Sequence, residues 1–295
     1  MSFLTLGGEA CLRHSGSMSE MTEAVVRTAV QVDGEAASYL TVEQDGPVVL
    51  LLHGTYWSRV WLPVLGSLAE AGLQPIAVDL PGLGRSGGEL TLETATVPAL
   101  ADWVVRFASA LKISGPIAVA GHDIGGAVAQ HLLIHDGLEV SRLALVNSVT
   151  YDSWPAPHVA RFRGPGVDAG STVDDVLAAR RQAVTAALAG AATERRIADY
   201  LDPWSAARVR RSWMALAGAA DNRYTLDLVP ALRQSTTPKL LIWGEDDAFE
   251  TVEYAEQFAS EIPHTTLIRI PNAGHIPTEN APEQIARELI DFFSA

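Results

Sequence analysis

Two hydrophobic periods run along this chain and take turns. VVRTAVQV (residues 25–32) and ASYLTVEQ (37–44) alternate apolar and polar positions, the pattern of half-buried antiparallel strands. PVVLLLHG, PIAVDLPG, PIAVAGHD, RLALVNS, KLLIWGED and TLIRIPNAG are instead short, unbroken and rich in Val, Ile and Leu. Runs apolar on both faces belong inside a parallel sheet covered on both sides. Between them lie helical patterns: WLPVLGSLAEAG, VPALADWVVRFASALK, IGGAVAQHLLIHDG, VEYAEQFASEI and PEQIARELIDFFS. Strands alternating with helices predict an α/β fold: a mostly parallel eight-stranded sheet, helices on both faces, right-handed crossovers.

The rhythm breaks once. From about Tyr151 to about Gln234 no buried-strand run occurs, only Ala- and Arg-rich helical stretches such as TVDDVLAARRQAVTAALAGA. The expected organisation is therefore a core of residues 23–150 and 235–295, with a helical cap, 151–234, inserted after the sixth strand. Residues 1–22 show no period and read as a flexible tail, with Met18 or Met21 as alternative starts.

Composition narrows the function classes. A net charge of −14 disfavours nucleic acid and anionic membranes as partners. No apolar run approaches the roughly 18 residues of a membrane span. The single cysteine, Cys11, permits no intrachain disulfide, and no secretory leader pattern precedes it, so a cytoplasmic location is expected. The His and acidic residues form no recognisable ligand cluster, so neither metal nor cofactor is expected. Monomer and homodimer are both compatible with the sequence.

In an open α/β sheet the functional site forms at the carboxyl ends of the strands. There the sequence supplies His53-Gly54, Asp79, His122-Asp123, Asn147, Asp246-Asp247 and His275. The string GHDIG (121–125) places Asp123 where a buried strand turns into a small-residue helix. With Ser in its centre this would read as the G-x-S-x-G nucleophile elbow. Asp123 could instead be a helix N-cap, the commonest use of Asp before a helix. A nucleophile candidate, an acid and a histidine follow in the order Asp123, Asp247, His275.

Over about residues 24–295 the sequence resembles the α/β-hydrolase superfamily, through LLLHGTYWSRVW, VDLPGLGRSGG, VAGHDIGGAVAQ, LLIWGEDDAFE and IPNAGHIPTENAPE in that order. Asp at the nucleophile position resembles the epoxide hydrolase and haloalkane dehalogenase branch. The resemblance implies Asp123 as a covalent nucleophile, His275 as the base for water, and Asp247, by G-x-x-D spacing from Gly244, as the acid that orients His275. It implies an oxyanion hole from the backbone N–H groups of Thr55 and Ile124. His53, His122, Asp79, Arg85 and Asp246 are expected to be structural, and Asn147 a turn cap or a spare acid-position residue.

The departures select among activities. Haloalkane dehalogenases have Trp after the nucleophile and often Asn after H-G; here stand Ile124 and Thr55. The Arg of fluoroacetate-type enzymes is likewise replaced by Ile124, and the H-G-x-P of epoxide hydrolases is broken by Tyr56. The favoured expectation is an epoxide hydrolase acting on a small apolar substrate in an aromatic pocket, its proton donor a tyrosine. The inserted segment offers Tyr151, Tyr200 and Tyr224, with Trp154, Trp204 and Trp213; Tyr151 and Tyr224 are the first choices by position, and Tyr56 and Trp57 beside the oxyanion loop are also expected to face the pocket. The alternatives are dehalogenation of a haloalkane or haloacid, ester, lactone or C–C hydrolysis, and a small-molecule-binding homologue without turnover.

Overall fold

In the computed structural model, eight strands form one sheet in the order β1-β2-β4-β3-β5-β6-β7-β8. The structure describes residues 25–135, 137–160 and 172–295; the tail expected over 1–22 lies outside them. β1 (Val25–Val32) and β2 (Glu35–Val42) form a hairpin. Its turn uses Asp33 and Gly34, both at positive φ, the requirement of a two-residue turn that matches strand twist. β2 also runs antiparallel to β4 (Gln74–Val78). Every later pairing, through β3 (Val48–Leu52), β5 (Ile117–Asp123), β6 (Val140–Ser148), β7 (Lys239–Gly244) and β8 (Thr265–Ile270), is parallel.

The unbroken apolar runs are explained by two cores, one on each face. Leu50, Leu52, Val119, Leu145, Leu241 and Trp243 face α2 (Val97–Ala110), α3 (Ile124–Ile134) and a later helix, Val252–Glu261. Their strand neighbours Val49, Leu51, Ala120, Val146, Leu240 and Ile242 face α1 (Leu62–Glu70) and the last helix, Pro282–Ser294. Side chains that alternate between two apolar environments leave no polar position.

Between β6 and β7 all regular structure among the described residues is helical. The longest members are α4 (Val173–Leu188), α5 (Glu194–Leu201) and α6 (Ala207–Gly218); the later helices are therefore α7 (Val252–Glu261) and α8 (Pro282–Ser294). A reciprocal capping box, Thr172 with Asp175, starts α4, and Thr193 caps α5. This segment is seated on the sheet's carboxyl edge by polar ties. The amide of Leu90 donates to Ser212 Oγ, that of Ile276 to the Ala187 carbonyl, and Asn280 Nδ2 to the Leu188 carbonyl.

The opposite edge is closed differently. Lys239, at the start of β7 and only 1% exposed, donates through Nζ to the carbonyls of Ser235, Thr237 and Pro263. Burial lowers its pKa to about 8.

Candidate active site

Asp123 ends β5 with φ 55° and ψ −130°, a backbone conformation that costs a non-glycine residue on the order of 1–3 kcal/mol. It is held there because nothing else fits. A Cβ on Gly121 would lie 2.4 Å from the Gly125 carbonyl oxygen, and one on Gly125 2.5 Å from that of Leu52. One on Gly54 would lie 2.6 Å from Asp123 Cγ itself. The side chain of Asp123 makes no N-cap bond to α3, which removes the capping interpretation. Its Oδ2 instead accepts from the Thr55 amide at 2.8 Å and from the Thr55 hydroxyl at 2.7 Å.

His275 follows β8 and points Nε2 to within 3.9 Å of Asp123 Oδ2. Its Nδ1 lies 2.8 Å from Asp247 Oδ2. Asp247 is fixed through its other oxygen by the amides of Phe249 and Glu250, at 2.8 and 3.1 Å. Neighbouring Asp246 is exposed. Asn147 is neither a simple turn cap nor a spare acid: it bridges β6 to β7, with Nδ2 donating to Asp247 Oδ2 at 2.7 Å and Oδ1 accepting from the Gly244 amide at 2.9 Å.

Burial opposes charge on both members of the Asp123–His275 pair, but their mutual attraction prevails. Desolvation would raise the Asp123 carboxyl; the facing His275 and the Thr55 amide outweigh it and hold it well below the usual carboxylate range. Desolvation would likewise lower His275, yet the Asp247 carboxylate above all holds it well above its ordinary value. The resting site is thus an imidazolium between two carboxylates.

The residues around it are supports. The amide of Leu80 donates to His53 Nε2, and His53 Nδ1 lies 2.8 Å from the Gly54 carbonyl, which shapes the Thr55 loop. Asp79 gathers the amides of Ser58 and Arg85 and the guanidinium of Arg27. His122 Nε2 lies 2.8 Å from the His275 carbonyl, and desolvation, aided by the His275 charge, lowers His122 to about 4. It is neutral at physiological pH, so its Nε2–H is the donor.

A cavity between core and cap is lined by Thr55, Tyr56 and His275 below and by Trp154, Arg180, Trp204 and Trp213 from the capping segment. Phe249 and Glu250 form one wall. Of the expected pocket residues, Trp57, Tyr151 and Tyr224 do not line it. Trp57 lies under the guanidinium groups of Arg27 and Arg85. Tyr151 packs edge-on against Phe258, and burial raises its hydroxyl to about 12. The Tyr224 carbonyl meets His131 Nε2 on α3. Ile124 is fully buried, so only its backbone can serve the site.

Two charged cavity residues escaped the sequence reading, Arg180 and Glu250. Arg180 sits in an Arg-Arg pair whose second member, Arg181, is exposed and paired with Glu194. Glu250 is 2% exposed and its Oε2 has no hydrogen-bond partner. Desolvation first, then the nearby Asp123 carboxylate, raises it to about 8. Among the described residues no group of three or more His, Cys, Asp or Glu could hold a metal ion, and no helix is long and apolar enough to cross a membrane.

The chain is similar in sequence and in fold to known proteins. A haloalkane dehalogenase of Bradyrhizobium diazoefficiens is 26% identical over 304 residues, covering 92% of this chain and 95% of that protein. A pimeloyl-[acyl-carrier protein] methyl ester esterase of Vibrio atlanticus is 24% identical, covering 86% and 97%. The crystal structure of haloalkane dehalogenase DbeA from Bradyrhizobium elkani superposes with a TM-score of 0.80 at 25% identity, covering 92% of this chain and 98% of that one. Residues 49–288 match the alpha/beta hydrolase family, and with the sheet order, the elbow and the capping helices this chain belongs to that family.

Proposed function

We propose that this hydrolase opens an epoxide through a covalent ester on Asp123 and releases a vicinal diol. The observation that carries the reading is the position of Asp123 Oδ2, held by both donors of Thr55. With Oδ2 so held, Oδ1 is the oxygen left to attack a saturated carbon. The C–O bond of the ring breaks, its electron pair goes to the ring oxygen, and that oxygen takes a proton. Glu250, neutral at physiological pH, is the acid in the cavity wall that supplies it. Tyr56 lines the same cavity, with its hydroxyl raised by burial.

Esterification then changes the charge balance. Asp123 loses its negative charge, and one of the groups that keep His275 protonated disappears. His275 passes its resting proton to the Glu250 carboxylate that ring opening left in the same cavity, and becomes the base for a water that attacks Cγ of the ester. Negative charge develops on Oδ2, already within hydrogen-bond reach of two donors before the reaction starts. Asp247 stabilises the imidazolium as it re-forms. The intermediate collapses, the diol oxygen takes the proton from His275, and the acid proton of Asp123 restores the resting pair. Epoxide and water are consumed, and diol is the product.

A second reading is hydrolytic dehalogenation, favoured by the likeness to haloalkane dehalogenases. A departing halide needs N–H donors and no proton. Ile124 offers none from its side chain, so the indoles of Trp154 and Trp204 would have to serve. The two readings separate in a His275→Gln variant, where the ester forms and its hydrolysis stalls. Intact-protein mass after exposure to epoxides should rise by the whole epoxide, on the peptide that contains Asp123. A rise by substrate minus hydrogen halide from a haloalkane panel would establish the second reading instead. No adduct from either panel, with wild-type turnover of esters, would overturn both.

A further inference from the structure

Among the described residues, Arg180 is a buried cation without a counter-ion. It reaches the cavity from α4 and is 7% exposed. Its guanidinium carbon lies 4.3 Å from the ring centroid of Tyr56 and 4.7 Å from that of Trp204. Nη2 donates to the Thr55 carbonyl at 2.6 Å, and Nε has no partner. Among the described residues no carboxylate oxygen lies within ion-pair distance, although Asp123 is close enough to attract it. Desolvating an arginine is costly unless its charge and its five N–H groups are met. Two aromatic faces offset part of that cost, and one carbonyl meets one donor. Nε is left without an acceptor, and a carboxylate is the group that would meet a guanidinium with charge as well as hydrogen bonds.

Catalysis sharpens the imbalance. Asp123 is the anion near Arg180 in the resting site, and its charge vanishes when the ester forms. A group that keeps its own negative charge through both steps would complete the cavity. Glu250 does not supply it through both steps: burial above all keeps it in the acid form at rest, and on the proposed reading it is charged only between ring opening and the return of its proton.

We propose that Arg180 is a specificity-determining residue that binds a carboxylate of the substrate, so that the chain acts on small epoxides bearing a carboxylate close to the ring. This rests on the epoxide reading for the chemistry, while the anion site itself does not. The guanidinium offsets the repulsion between the incoming carboxylate and Asp123. Its bond to the Thr55 carbonyl places the bound anion beside the loop that holds the Asp123 carboxyl group.

The test uses oxirane-2-carboxylate, its uncharged counterpart oxirane-2-carboxamide, and propionate, which cannot react. Wild-type kcat/KM should favour the carboxylate by about tenfold to a hundredfold, the range expected of a charge-assisted pair. In Arg180→Gln that ratio should collapse towards one, chiefly through KM for the carboxylate, while Arg180→Lys keeps part of the preference. Propionate should raise the melting temperature of the wild type and of Arg180→Lys but not of Arg180→Gln. Arg180-dependent propionate binding with no turnover of either epoxide would retain the anion site and overturn the epoxide reading. No carboxylate preference in the wild type would overturn the proposal. So would equal losses on both substrates in Arg180→Gln, since Arg180 would then only position Thr55. Should Arg180→Gln fail to fold, equal kcat/KM for both substrates in Arg180→Lys together with no propionate effect on the wild type would overturn it too.

Discussion

Asn147 donates a 2.7 Å hydrogen bond to the same Asp247 oxygen that His275 uses, across 100 residues of chain. The acid is therefore aimed by a neutral side chain from the neighbouring strand, which also holds the Gly244 amide. Asn147→Ala removes both bonds and leaves the Gly244 amide unpaired in a buried site. A loss of about 1–3 kcal/mol is expected for each such group. Thermal denaturation should show the destabilisation, and single-turnover kinetics should show slower hydrolysis of the Asp123 ester than its formation.

Thr55 contributes two donors to one oxygen, and they can be separated. Thr55→Val deletes the hydroxyl and keeps the amide, whereas Thr55→Ser keeps both. The valine variant should lose about 10²-fold in the hydrolytic step, within the range for one oxyanion donor. The serine variant should remain within a few-fold of the parent. Equal losses in the two would show that the hydroxyl acts through packing.

Glu250 should make stability pH-dependent. Its folded pKa is raised from the usual 4.5 to about 8, so the folded state holds this proton more tightly than the unfolded chain. Its contribution is complete below pH 4.5 and is lost as pH rises through 8. Glu250→Gln has no charge to bury. The variant should match the parent in acid and exceed it in melting temperature at about pH 9. On the proposed epoxide reading, turnover by the parent should fall over the same alkaline interval, and the variant should lose the limb along with most of its activity.

The elbow predicts a steep steric cost. Gly125→Ala drives a Cβ to 2.5 Å from the Leu52 carbonyl oxygen and 2.7 Å from that of His53, both backbone atoms of the core. Overpacking of this kind costs about 1–3 kcal/mol. Urea denaturation should show it, with the adduct-forming step impaired because Asp123 moves with the turn.

Much of this architecture is legible in the sequence for a simple reason. β3 and β5 are covered on both faces, so their apolar runs are unbroken, and the polar residue that ends each run marks the sheet's active edge. Gly121 and Gly125 mark the turn because the backbone leaves them no space. The cap resists such reading. Arg180 and Arg181 are adjacent and chemically identical, and only the roughly 100° that separates neighbours on a helix sends one into the cavity and the other to solvent. Tyr151 and Tyr224 stand at either end of the cap, where a pocket tyrosine is expected, but the Tyr151 ring meets α7 and the Tyr224 carbonyl meets α3. Glu250 reads as an ordinary loop acid until Trp154 and Phe249 are seen to share its cavity wall.

The placement of lysines has a practical consequence. The sequence contains only Lys112 and Lys239. Lys239 is sealed against three carbonyls, while Lys112 is exposed just after α2, at the end of the sheet away from Asp123 and the cap. Amine-reactive coupling therefore has one side-chain handle, besides the α-amino group, and it lies on the reverse side of the molecule. A resin loaded through Lys112 would present every copy with its cavity facing the solution.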